Sequence, residues 1–334
     1  MIPAVQRGLV ATKFRYMGDT IVATPFLQRL REAFPQARVT LLTGPAAATA
    51  LAGCPHVEEI WVHDPRVPGE AARIQERIQT GRFDTVFLLN RSLQSAWWAW
   101  RARIPARIGF ATEFRGALLT HRARYDWERP DRDCALDLLR VLGIPAEDCL
   151  PRLWVTPEEE EEARAMLESL LPGPGSWAAI QPGANDPEVR QWGAARFAEV
   201  ADRLAKERGL RIAICGTREE RPVAEEVAER MEAKPVVLAG ETGLRQALAV
   251  LRCCRLWVGN DGGMLHAAVA LGPATVGIFG PTKARRWGYD APTHRTVTAG
   301  SSARRMDAAE IRRALDSIPP ERVYRATIEA LEHA

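Results

Sequence analysis

Short apolar runs recur along the chain, each separated from the next by enough residues for a helix: 9–14, 39–43, 85–90, 107–110, 178–182, 211–216, 236–240, 256–260 and 275–280. Runs of this length, apolar throughout rather than alternating, predict strands buried on both faces, as in parallel sheets covered by helices. The stretches between them carry apolar residues at helical spacing, and 24–33, 194–207 and 221–233 are predicted as helices. Repeated strand–helix alternation predicts an α/β fold of doubly wound, Rossmann-like sheets.

The alternation breaks between residues 150 and 177. An acidic helix predicted over 157–171 runs into Pro172-Gly173-Pro174-Gly175, which stops a helix and turns the chain. A length of 334 residues suits two cores of roughly 150 residues each. The predicted division is a first Rossmann-like domain at 1–155, a linking helix and turn at 156–175, a second Rossmann-like domain at 176–318, and a terminal helix at 319–334. That helix carries apolar Val323, Ile328 and Leu331, and its packing on the first or the second half is open. Two open α/β domains imply a cleft between them, with ligands at the carboxyl ends of the strands. Functional residues are therefore sought just after each strand.

Composition acts mainly by exclusion. Apolar residues at 46% and charged residues at 26% are those of a globular protein, and Lys+Arg 45 against Asp+Glu 42 leaves +3, so no overall field argues for nucleic acid. No apolar run approaches the ~18–20 residues of a membrane span. Residues 1–7 lack the charged-then-apolar plan of a secretory signal. The six cysteines form no CxxC pair, which suggests neither a disulfide framework nor a zinc site, and a cytoplasmic location is expected. Only Lys13, Lys206, Lys234 and Lys283 are lysines, a bias read as GC-rich coding.

Three loops could carry chemistry. After the first strand, Lys13-Phe-Arg-Tyr-Met-Gly18-Asp19-Thr20 leads into an apolar helix. Asp19 either caps that helix or faces the cleft as a general base. After the strand at 256–260 comes Asp261-Gly262-Gly263-Met-Leu-His266; glycines and the amides of a helix start suit a phosphate. Asp261 could accept from sugar hydroxyls or cap the helix, and His266 is a core histidine or a ligand-facing one. After the strand that opens the second domain, Gln181-Pro-Gly183 leads to Arg190 and Trp192, and a guanidinium there could fork onto a diphosphate. Residues 91–124 hold seven arginines, one acid (Glu113), and Trp97, Trp98 and Trp100. This patch either attracts a polyanion or an anionic membrane face, or is a solvated helix face with tryptophans in the core. Asp131-Arg-Asp133 resembles a metal-holding DxD, but its place at a helix start reads as capping, and no metal is assigned.

Together these pieces resemble glycosyltransferase family 9, the bacterial lipopolysaccharide heptosyltransferases, over nearly the whole chain. Met17-Gly18-Asp19 resembles the family's N-terminal motif, and Ile104-Pro-Ala-Arg107-Ile-Gly109-Phe with Arg115 and Leu118-Leu119 resembles an acceptor-domain segment. Gln181-Pro-Gly-Ala to Trp192 is similar to the donor loop, and Leu238-Ala-Gly-Glu-Thr242-Gly to a segment beside the nucleotide. Asn260-Asp-Gly-Gly-Met-Leu-His266 with Phe279-Gly-Pro-Thr282 is similar to the most diagnostic stretch. Two departures stand out: Arg190 replaces the usual lysine, and Gly262 stands where Ser or Thr is frequent.

The resemblance implies a GT-B architecture of two facing Rossmann-like domains, and an inverting, metal-independent transfer of heptose from ADP-heptose to the lipopolysaccharide inner core. Asp19 is implied as catalytic base and Arg190 as the diphosphate's partner. Gln181, Gly183, Glu220 (or Glu219), Thr242, Asp261, Gly262, Gly263 and His266 are implied on the donor, and Gly18, Arg91, Arg107 and Arg115 on an anionic glycolipid acceptor. No cofactor beyond the nucleotide sugar is expected, and peripheral contact with the inner-membrane surface is. Rival readings are a nucleotide-sugar epimerase of the same fold and a silent lipopolysaccharide-binding module; a nicotinamide dehydrogenase is disfavoured because no GxGxxG follows a strand.

Overall fold

The computed structural model describes residues 4–280, 284–300 and 306–334. Pro281 and Thr282 of the last motif lie outside the described residues. The chain forms two units, Met1–Trp154 and Val155–Ala334.

The first unit runs β1 (Arg7–Ala11), α1 (Met17–Val22), α2 (Thr24–Ala33), β2 (Arg38–Thr43), α3 (Pro45–Ala50), β3 (Glu59–Val62), α4 (Glu70–Thr80), β4 (Thr85–Leu88), α5 (Leu93–Arg101), β5 (Ala106–Phe110), a 3-10 turn (Arg115–Leu118), β6 (His121–Ala123) and α6 (Asp131–Arg140). All its strand pairs are parallel, in the order β3-β2-β1-β4-β5-β6. Leu9, Leu41, Val86 and Phe87 are buried in the central strands, and helices seal the faces with Phe26, Leu27 and Leu30 of α2 and Ala96, Trp98 and Ala99 of α5. Burial on both faces explains why these strands read as continuous apolar runs.

The second unit repeats the plan: α7 (Pro157–Leu170), β7 (Trp177–Gln181), α8 (Pro187–Arg190), α9 (Ala194–Arg208), β8 (Arg211–Ile214), α10 (Arg221–Arg230), β9 (Val236–Val237), α11 (Leu244–Cys253), β10 (Cys254–Asn260), α12 (Gly263–Leu271), β11 (Ala274–Phe279), α13 (Ala284–Trp287), β12 (His294–Thr298), α14 (Ala308–Asp316) and α15 (Pro320–Leu331). Its parallel sheet has the order β12-β11-β10-β7-β8-β9. The acidic α7 packs on α11, tied by the Arg245–Glu159 ion pair, and α15 packs on β10, β11, β12 and α9.

In both sheets the winding direction reverses beside the first strand, between β1 and β4 and between β7 and β10. Such a reversal opens a crevice outside the carboxyl ends of the two strands. Three strands escape the sequence pattern, and all lie at sheet edges: β3, β6 and β12. Their residues are only partly buried, so no continuous apolar run marks them. No helix among the described residues is long and apolar enough to cross a membrane.

Candidate active site

In the first unit, the chain leaves β1 through Thr12 and Lys13 and turns into α1. A triangle of buried hydroxyls fixes that turn: Thr12 Oγ1 donates to Thr43 Oγ1 (2.8 Å), and Thr20 Oγ1 lies 3.1 Å from Thr12 Oγ1 and 3.2 Å from Thr43 Oγ1. Gly44 matters here for close approach. A Cβ on it would stand 1.8 Å from the Phe14 carbonyl oxygen, so only glycine lets the loop after β2 lie against the loop after β1. Tyr16 occupies the N-cap of α1 without a side-chain bond, and Asp19 sits in the first turn with its carboxylate ion-paired to the Lys13 ammonium. Asp19 is thus committed to Lys13 rather than to the cap position. Its side chain is 14% exposed and lines a cavity of about 20 Å³ with Thr12, Lys13, Phe110, Tyr125 and Asp131, room for roughly one water.

Asn90 closes the same switch point from the β4 side. Its amide donates to the Thr12 carbonyl (3.0 Å), while its Oδ1 accepts from Ser95 Oγ (2.5 Å) and the Ser92 amide (3.2 Å). Gly18 is buried in the turn of α1. Arg91 lays its guanidinium 4.5 Å from the Tyr125 ring centroid and 4.1 Å from that of Trp127. Arg107 and Arg115 are used inside the fold. Arg107 donates to the carbonyls of Leu118 (2.7 Å) and Ile104 (2.5 Å). Arg115 is fully buried, donates from Nη1 to the Asn90 carbonyl (2.7 Å), and leaves Nε and Nη2 without a hydrogen-bond partner. Burial pushes its pKa down to about 10. Asp131 accepts from the Tyr125 hydroxyl (2.5 Å), and Asp133 bonds Arg129 and Arg140; Pro130, not an aspartate, stands at the N-cap of α6. The sequence reading of this pair as caps is corrected accordingly: both carboxylates serve side-chain networks.

Most of the second-unit positions that the resemblance implies on the donor lie at the carboxyl ends of β7, β8 and β10. Asn260, the last residue of β10, is the counterpart of Asn90. Its amide donates to the Pro182 carbonyl (2.8 Å), and its Oδ1 accepts from the Trp192 amide (3.1 Å), so one buried side chain pins both ends of the loop that carries Arg190. The Trp192 indole is anchored in turn on the Ile318 carbonyl (3.0 Å). Arg190 Nη1 then stands 3.7 Å from Asp261 Oδ2, and its Nε is buried with no hydrogen-bond partner.

Gly262 caps α12 in an extended conformation (φ −178°) with no side-chain cap, and the Leu265 amide bonds its carbonyl (3.2 Å), so the helix opens on the backbone amides of Gly263 and Met264. A Cβ on Gly262 would meet nothing nearer than the Asn260 carbonyl oxygen at 3.8 Å, so a side chain fits there. Gly183 is the opposite case. A Cβ would fall 2.3 Å from Glu220 Cδ, so the Glu220 carboxylate lies directly on the Gly183 backbone while Oε2 accepts from the Thr217 amide (2.8 Å). Gln181 ends β7 half-buried. Thr242 is half-buried beyond β9, where the Gly240 amide bonds the Gly216 carbonyl (3.1 Å) and draws that loop to the end of β8. His266 is buried in α12 with Nδ1 2.9 Å from the Tyr289 hydroxyl, and its ring flanks Trp287.

Sequence reasoning missed four residues that build these sites: Lys13, Gly44, Asn90 and Asn260. Lys13 had a signal, as one of four lysines in a chain that otherwise uses arginine, set directly after a strand. The two asparagines had one as well, each standing at the end of a predicted apolar run.

Two doubly wound parallel sheets, each with its polar residues gathered at a switch point, define a GT-B-like α/β protein. The chain belongs to glycosyltransferase family 9 (heptosyltransferase), whose model matches residues 71–316, and it is a glycosyltransferase. It is 26% identical over 327 residues to lipopolysaccharide heptosyltransferase 2 of Escherichia coli (strain K12), a match covering 92% of this chain and 94% of that protein. In fold it is similar to the glycosyl transferase family 9 protein from Veillonella parvula DSM 2008 (TM-score 0.86, 24% identity, 100% of this chain and 99% of that one). It is also similar to Escherichia coli ADP-heptose lps heptosyltransferase II (TM-score 0.79, 24% identity, 98% and 99%).

Proposed function

We propose that the protein transfers a heptose from ADP-heptose to a sugar of the lipopolysaccharide inner core, with inversion at the anomeric carbon. Asp19 takes the proton from the acceptor hydroxyl as its oxygen attacks the anomeric carbon. The carbon–oxygen bond to the diphosphate breaks, and ADP departs with the bonding pair. Arg190 and the amides of Gly262 and Gly263 meet that developing charge, the task a metal performs in other sugar transferases. Asp261 and His266 orient sugar hydroxyls and phosphate. Gln181 and Gly183 lie along the diphosphate, and Glu220 and Thr242 along the ribose and base. Gly18 and Arg91 face the acceptor, while Arg107 and Arg115 hold the loops behind them. The acceptor, a glycolipid, brings the protein to the cytoplasmic face of the inner membrane.

The observation that carries this reading is the β7–β10 crevice. There an unused guanidinium donor, a helix start and a buried carboxylate converge in a chain of this family. It also weighs against a silent binding module, which has no use for a diphosphate cradle. The test is thermal stabilisation across a panel of nucleotides and nucleotide sugars, since a ligand that binds only the folded state raises the melting temperature. Selective stabilisation by ADP and ADP-heptose is expected; a response to UDP-sugars alone, with isomerisation and no acceptor, would replace this reading with the epimerase.

A further inference from the structure

Helix α5 covers the first sheet with one side only. Ser95, Ala96, Trp98 and Ala99 are buried, whereas Leu93, Trp97 and Trp100, at spacings of four and three, form a stripe on the other side. Leu93 is 53% exposed, Trp97 45% and Trp100 46%, and the two indoles touch with centroids 4.9 Å apart. The 3-10 turn that packs on α5 is led by Phe114, which is fully exposed and, like Glu113 before it, has positive φ (62° and 52°). Two consecutive non-glycine residues in that region are uncommon, and here they leave a phenyl ring in solvent beside the indoles' helix.

The segment that carries this stripe is also basic. Arg101 ends α5, Arg103 follows it, and Arg122 and Arg124 belong to the neighbouring edge segment; all are exposed. Among the described residues none of these guanidinium groups has a carboxylate within salt-bridge distance. Some arginines elsewhere are matched, as in Arg31–Glu58 (2.6 Å), Arg203–Glu321 (2.5 Å) and Arg211–Glu168 (2.5 Å), so what marks this segment is four unmatched guanidinium groups in a stretch with a single acid. The only acid in the segment is Glu113.

We propose that this face of α5 with Phe114 is an interfacial anchor that seats the protein on an anionic phospholipid surface. Indole and phenyl rings enter the headgroup–acyl boundary, and the unmatched arginines meet lipid phosphates. Tryptophan is suited to that depth because its ring is largely apolar and its N–H is polar. A protein partner would have to supply carboxylates at matching positions, whereas an anionic bilayer presents phosphates over its whole surface. The inference rests on the proposed glycolipid acceptor for its biological reason, but its test needs no catalysis.

The full chain is sedimented with vesicles of phosphatidylcholine and of phosphatidylcholine mixed with phosphatidylglycerol. Binding to the mixed vesicles that weakens with salt is expected, with a blue shift of tryptophan emission. Trp97→Ser/Trp100→Ser should lower partitioning by roughly tenfold or more at an unchanged melting temperature. Arg101→Gln/Arg103→Gln should flatten the preference for phosphatidylglycerol. Both variants should transfer at the parental rate to an acceptor stripped of its acyl chains; loss of transfer in all proteins would count against the proposed function and leave vesicle binding intact. Parental binding by the tryptophan variant, binding to neither vesicle, or a concentration-dependent dimer abolished by the tryptophan changes would each overturn the anchor.

Discussion

Gly44→Ala isolates the loop that carries the proposed base without touching any group proposed to contact substrate. Gly44 has ordinary dihedral angles (φ −81°, ψ 167°), so alanine meets no conformational penalty of its own. The obstacle is contact. The new methyl would stand 1.8 Å from the Phe14 carbonyl oxygen and 2.7 Å from its carbonyl carbon, where real contacts begin at 3.0 Å, so the two loops must part by about 1.2 Å. The hydroxyl triangle of Thr12, Thr20 and Thr43 holds both sides of the turn, so the shift falls on the segment between Lys13 and Asp19. Overpacking of this kind costs about 1–3 kcal/mol of stability. A displacement near 1 Å of a catalytic group costs on the order of 100-fold in rate. ADP release under saturating donor and acceptor should therefore fall by about that factor, while calorimetric donor affinity, built on the second unit, stays at the parental value. Gly262→Ser is the control: with 3.8 Å of clearance and an extended backbone, its stability should stay within about 0.5 kcal/mol of the parent. Parental turnover by a folded Gly44→Ala protein would refute the assignment of catalysis to the β1–α1 turn.

Arg190→Ala should weaken ADP binding by roughly 10- to 100-fold, the worth of a charge-assisted hydrogen bond, with little change in melting temperature because the side chain is 37% exposed; calorimetry decides. Asn260→Ala strands the Pro182 carbonyl and the Trp192 amide and should cost about 1–3 kcal/mol in urea unfolding, besides loosening donor binding. His294 is held neutral by burial, its pKa pushed down from 6.5 to about 4, with Nδ1 2.9 Å from Thr275 Oγ1. Between those pH values the unfolded chain binds the proton and the folded one does not, so stability falls as pH drops from 6.5 to 4, by about 3 kcal/mol in all, and is insensitive to this group above pH 7. Unfolding titrations of the parent and of His294→Asn should differ by that slope, and equal slopes would contradict it.

The central strands were legible because burial on both faces writes itself as an uninterrupted apolar run, and the edge strands β3, β6 and β12 were not, because half-exposure removes that signature. The ends of those runs led to the loops now found at both switch points. What the sequence could not separate was the arginine-rich segment 91–124. Folding sends Arg107 and Arg115 to backbone carbonyls, stacks Arg91 on two aromatic rings, and leaves Arg101, Arg103, Arg122 and Arg124 in solvent. Residue type alone carries no record of that sorting. Asn90 and Asn260 were marked in the sequence only by their place at the end of an apolar run; the repeated sheet order reveals that each performs the same task, bridging the end of one strand to the loop after its neighbour.

The proposed transfer rests on the carboxylate at position 19. Asp19→Asn keeps the size of the side chain and removes its capacity to accept the acceptor's proton. Single-turnover transfer from bound ADP-heptose should drop by at least about 100-fold while calorimetry gives the parental donor affinity. Transfer by Asp19→Asn at the parental rate would contradict the account outright.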